Sequence, residues 1–137
     1  MCWVTNSKPE AHFADSNIKV YKIVTKTSRK NMVNSLYRGY TYKIGKLFEM
    51  EKRIIPGLVL SSANGKSYAI KEGFHSYATF AKATRKFEEI ITYDLNSSVN
   101  MFVIVECIIP EGSRYYINNE GEVVSDKIII SGFRDFE

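Results

Sequence analysis

Cysteine, proline and histidine are scarce in this 137-residue chain, which has two Cys, three Pro and two His. Two cysteines as far apart as Cys2 and Cys107 build no disulfide framework, and their default state is two free thiols. With His12 and His75 they offer the right ligand types for zinc, yet none of the four sits at the short paired spacing of zinc sites. No metal is expected. The glycines are scattered too: Gly57, Gly65 and Gly73 form no loop that could cradle a phosphate. No apolar run approaches the length of a membrane span, and the N-terminus MCWVTNSKPEAH lacks the basic-then-apolar pattern of a signal peptide. A cytoplasmic setting with no membrane partner is the expectation. A hydrolytic triad is also missing, because His75 and Ser76 are adjacent in sequence and would point apart on a strand.

What is present is ordinary for a globular domain: 45% hydrophobic and 25% charged residues, with 13% aromatic from nine Tyr, eight Phe and one Trp. The length suits one domain over 1–137, and the aromatic share leans toward β structure. The net charge of +4 permits a nucleic acid or an acidic protein surface as partner without requiring either.

The most ordered stretch is 101–130, MFVIVECIIPEGSRYYINNEGEVVSDKIII. It reads as an apolar strand, a turn at Pro110-Glu111-Gly112, a tyrosine-rich strand, a turn from Asn118 to Gly121 and a closing strand. Period two places Phe102, Ile104, Glu106 and Ile108 on one face, and Val103, Val105, Cys107 and Ile109 on the other. A strand apolar on both faces is central. Upstream, 1–17 reads as irregular, Ile18 to Thr25 as a strand, and 25–34 as a loop carrying Lys26, Arg29 and Lys30. A second β region covers 35–48, with Tyr40, Tyr42 and Ile44 on one face. A hairpin turns at Asn64-Gly65. Phe80, Ala83, Phe87 and Ile90/Ile91 recur at helical spacing, predicting one helix over about 77–91 capped by Ser76 or Thr79. The fold class is α+β: a β-rich single domain with a mostly antiparallel sheet and one main helix.

Three places carry candidate chemistry. Arg38, flanked by Tyr37 and Tyr40, could grip a phosphate or carboxylate or stack on a ring, or be an exposed strand arginine. His75 and Ser76 stand at the predicted strand-to-helix junction, where free N–H groups suit an anion and where Ser76 could equally be a cap. Glu106 interrupts the most apolar strand, so it needs a cation, a proton or a task; Arg38 and Tyr115 are possible partners.

Two resemblances follow from these segments. The order DSNIKVYKIV, GYTYKIGKLF, IKEGFHSYATFAKA, VIVECIIPEGSRYYINNEGEVVSDKIII resembles small uncharacterised proteins of phages, prophages and gut Bacteroides-type bacteria. That implies a viral setting and a protein that binds host machinery. The segments LYRG, GFHSY and VECIIPEGSRYYI are similar, in order, to the arginine strand, serine motif and glutamate strand of Arg-Ser-Glu ADP-ribosyltransferases. That resemblance implies NAD as cofactor, with Arg38 on its phosphates, Ser76 on the nicotinamide ribose and Glu106 on the ribose hydroxyl.

The expected function is therefore binding of a host protein or nucleotide-type ligand through Arg38, His75, Ser76 and Tyr115, without a cofactor. The alternative is a minimal NAD-dependent transferase with Arg38, Ser76 and Glu106 as its catalytic residues. A nucleic-acid partner for Lys26, Arg29 and Lys30 is a third reading. Thermal unfolding should be the same with and without a chelator or a reductant. A drop in Tm of more than a few degrees with either would show a stabilising metal or disulfide.

Overall fold

The computed structural model describes residues 3–6, 8–35, 40–51, 53–54, 57–61, 65–70, 72–93 and 102–134. In chain order the first strands are β1 (Trp3–Thr5), β2 (His12–Phe13), β3 (Ile18–Lys26), β4 (Met32–Ser35), β5 (Thr41–Lys43) and β6 (Leu47–Glu49). There follow β7 (Gly57–Ser61), β8 (Gly65–Ile70), β9 (Phe74–Tyr77) and the helix α1 (Phe80–Tyr93). The chain closes with β10 (Phe102–Ile109), β11 (Arg114–Ile117), β12 (Glu122–Ser125) and β13 (Lys127–Arg134). Every pairing among these strands is antiparallel. The α+β class read from the sequence holds.

β10 is central. Its whole length pairs with β3, from Phe102 opposite Thr25 to Ile109 opposite Ile18, and its other edge pairs with β13. The large sheet runs β2-β11-β12-β9-β3-β10-β13-β6, with β4 also on β3 and β5 on β4. It curls. The turn after β5 reaches β13, where the Gly45 N–H donates to the Ile130 carbonyl at 2.8 Å. Tyr42 of β5 then meets Phe48 of β6 edge-on, 5.0 Å between ring centroids, inside the same cluster as Val105, Cys107, Ile128 and Ile130.

The faces of β10 are those that period two predicts. Val105, Cys107 and Ile109 line the curled interior with Val20, Val24, Val33 and Phe74. Ile104 and Phe102 face outward with Ile23 and are covered by Ala83, Phe87, Phe80, Ile90 and Ile91 of α1. A small sheet, β1-β8-β7, covers another part of the outer face, where Trp3, Ile54 and Ile70 bury Tyr116 and Val124. Two polar contacts fasten it: the Trp3 indole donates to the Glu122 carbonyl at 2.8 Å and the Asn118 amide to the Val4 carbonyl at 3.0 Å.

Several expectations change. The segment 1–17 contains β1 and β2, and the 25–34 loop ends in β4. The helix begins at Phe80, and its cap is Thr79, whose hydroxyl accepts from the Lys82 N–H at 3.2 Å. Ser76 belongs to β9 instead. Gly73 explains why a strand fits there: its φ is +142°, and a Cβ would stand 2.5 Å from a Val124 methyl. Part of the expected 35–48 β region, residues 36–39, and the Asn64 turn position lie outside the described residues.

Phe87 is the buried centre of the helix contact. Phe87→Ala should cost on the order of 3 kcal/mol in chemical denaturation, the range for a core aromatic. A loss under about half a kcal/mol would place that ring at the surface.

Candidate functional site

Pairing register decides which candidate residues can meet. Tyr21 lies opposite both Tyr77 on β9 and Glu106 on β10, so these three share the outer face. Ser76, one residue before Tyr77, takes the interior face, where it is buried. Ser76 and Glu106 thus stand on opposite sides of one sheet. Arg38 lies outside the described residues. His75 is half-buried on the outer face opposite Val124, and Tyr115 stacks on His12 with 5.3 Å between centroids. Glu106 has a partner among the cations: Lys19, two residues before Tyr21 on the same face, at 4.0 Å. Their side chains are 25% and 62% exposed, so this pair is worth little by itself.

The interior holds a residue that the sequence reading passed over. On β3 the valines Val20 and Val24 both point inward, fully buried. Lys22, midway between them, must share their face, since slipping the phase by one residue would turn both valines outward. Its side chain is only 9% exposed. The ammonium donates to the His75 carbonyl at 2.7 Å and lies 5.6 Å from the centroid of the Tyr42 ring. No carboxylate pairs with it among the described residues. Burial lowers its pKa from the ordinary 10.5 to about 8, and the neighbouring Cys107 opposes that shift.

The surrounding acids respond in the opposite sense. Burial pushes the Cys107 thiol up to about 12, with Lys22 pulling it down and Glu106 adding to the rise. Burial likewise raises Tyr42 above its usual range, helped by Cys107 and Tyr40. Cys107 is thus a neutral thiol near neutral pH and a poor nucleophile.

Ser76 completes this interior group. Continuing the Tyr21–Tyr77 register by one residue sets Lys22 beside Ser76, in agreement with the hydrogen bond from Lys22 to the adjoining His75 carbonyl. The Ser76 hydroxyl is buried and has no hydrogen-bond partner among the described residues. One unneutralised ammonium and one unmatched hydroxyl therefore stand on neighbouring strands.

A second polar region lies at the end of the sheet where β3 stops. The β3–β4 connection and the β5–β6 turn meet there, joined by the Ile44 N–H donating to the Asn31 carbonyl at 2.8 Å. Lys26, Arg29, Lys30, Lys43 and Lys46 are all exposed at this end. None of the five is in an ion pair among the described residues. The sequence explains the concentration: 16–48 contains eight of the 19 cations and none of the 15 carboxylates. The remaining residues carry 11 cations against 15 carboxylates and are net acidic.

Comparison with protein families, with characterised proteins and with solved structures finds no match to this chain. Among the described residues no helix is long and apolar enough to cross a membrane, and no group of three or more His, Cys, Asp or Glu could hold a metal.

Lys22 sets a pH test. Its folded pKa lies below the unfolded value, so the unfolded chain binds more protons between about 8 and 10.5, and stability rises with pH across that window. Cys107 and Tyr42, with folded values raised, act oppositely above about 9 and 10, their unfolded values. Lys22→Met should therefore be more stable than the parent at pH 7, by up to on the order of 3 kcal/mol, less whatever the lost hydrogen bond contributes. Chemical denaturation at a series of pH values should show the advantage shrinking between pH 8 and 10.5. A constant difference would mean that Lys22 titrates normally.

Proposed function

We propose that this chain is a small binding protein that docks its basic end on an acidic surface of a host protein, in the phage-type setting its sequence resemblance implies. The observation that carries this reading is the segregation of charge: an acid-free segment, folded so that five exposed cations from two adjoining turns gather at one end. Clustered like charges are costly to hold together and are offset by an anionic partner, which they also steer in. Binding is favoured over transfer of ADP-ribose because Ser76 and Glu106 occupy opposite faces, so no single NAD could touch both. A protein partner is favoured over single-stranded nucleic acid because, among the described residues, the exposed rings for base stacking are not interleaved with these cations. Tyr40 lies at the far end of β5 from Lys43, and Phe13 is on β2.

The test compares tagged parent with K43E/K46E in a Bacteroides-type host lysate, with and without nuclease, followed by affinity measurement on the purified captured protein. The expected result is an acidic protein retained by the parent after nuclease, with affinity at least tenfold weaker for the double charge reversal at unchanged Tm. Retention that vanishes with nuclease would replace the protein partner by nucleic acid. Equal affinity of parent and variant would remove the basic end from the function.

A further inference from the structure

The strand registers define a single row of interior-facing side chains across six strands. Phe133 lies opposite Val105, Val105 opposite Lys22, Lys22 beside Ser76, Ser76 opposite Val123, and Val123 opposite Ile117. The middle of the row is buried, while its ends emerge, Phe133 at 45% and Ile117 at 42% exposure. Four of the six residues are apolar. The two polar ones are neighbours, and both are incompletely matched. Lys22 has three N–H donors, one carbonyl acceptor and no counter-charge among the described residues. Ser76 has a buried hydroxyl with no partner among the described residues.

An unneutralised ammonium inside an apolar layer is costly, and a buried hydroxyl without a partner adds to that cost. One group would relieve both: an oxyanion that accepts one hydrogen bond from the Lys22 ammonium and another from the Ser76 hydroxyl. The charge count is one cation, so the complement is a monoanion. Val105, Val123 and Tyr42 belong to the same buried apolar cluster, so a ligand entering beside Lys22 would need an apolar remainder. We infer that Lys22 and Ser76 form an interior binding site for the carboxylate of a small apolar monocarboxylic acid. This site is separate from the basic end, and its neighbours Tyr42 and Cys107 are neutral near pH 7, leaving the carboxylate's charge to Lys22 alone.

Binding has a signature that surface attraction lacks. A carboxylate beside Lys22 favours its charged form, so at pH 8.5, where burial leaves the amine largely neutral, binding is accompanied by proton uptake. The experiment titrates acetate, butyrate, benzoate and octanoate into the parent, Lys22→Met and Ser76→Ala at constant ionic strength. Benzyl alcohol serves as the neutral control. Thermal shift and calorimetry in two buffers of different ionisation enthalpy are the readouts. The expected result is a Tm rise with benzoate or octanoate, none with benzyl alcohol, and uptake of up to one proton at pH 8.5. Affinity should fall at least tenfold in Lys22→Met and several-fold in Ser76→Ala, both still folded by circular dichroism. No shift with any acid at millimolar concentration, or an equal shift in Lys22→Met, would overturn the site. So would a high-resolution structure grown in benzoate with only a water between Lys22 and Ser76. Should Lys22→Met fail to fold, Ser76→Ala together with the proton count decides, since unchanged affinity in Ser76→Ala without proton uptake also overturns it.

Discussion

The constraint on which the rest of this fold depends is that β10 is paired on both edges and, except at Glu106, apolar on both faces. Its backbone is bonded to β3 along one side and β13 along the other, and its residues are apolar above and below. Both faces therefore need a cover, and a single layer has only one to give. The chain meets this with two different devices. The sheet curls until β5 and β6 close over the inner face, and α1 lies across the outer one. What the helix leaves bare, around Tyr116 and Val124, falls to the small β1-β8-β7 sheet. Glu106 survives in this setting because its outward-facing neighbour Lys19 is at the margin of the helix cover and both reach solvent.

The elements that could be read from the sequence are those whose pattern is longer than one period. β10 shows four full alternations, and α1 repeats Phe80, Ala83, Phe87 and Ile90/Ile91 over nearly three turns. The turn at Gly112 carries its own chemistry, a φ of +87° that glycine adopts freely. The strands that escaped notice, β1, β2, β4 and β9, have four residues or fewer, too short to establish a period. They exist because distant partners hold them: the Ala14 N–H donates to the Ser113 carbonyl, and β1 lies on β8.

Site geometry was less legible, for a related reason. That Ser76 and Glu106 face apart follows from the pairing of Tyr21 with Tyr77, a contact between segments far apart in sequence. No local pattern encodes it. Lys22 differs, because its signal was present. Following Ile18 and Val20 against Lys19 and Tyr21, then treating Ile23-Val24 as an apolar end, loses the phase midway. Carrying Val20, position 22 and Val24 on one face puts a lysine between two valines, which is the mark of a buried cation.

The interior amine and the basic end belong to the same acid-free segment, and β3 carries a residue of each, Lys22 and Lys26, four positions apart on one face. Four strand residues span roughly 13 Å. That exceeds the screening length of about 8 Å at physiological ionic strength, so through solvent Lys26 and the turn cations are nearly silent at Lys22. What disfavours charge on the buried amine is its own burial. The two regions therefore answer to different levers. Salt weakens what the exposed cations hold, because that attraction runs through water. It leaves largely intact whatever neutralises Lys22, because that contact is made out of bulk water, where screening is weak.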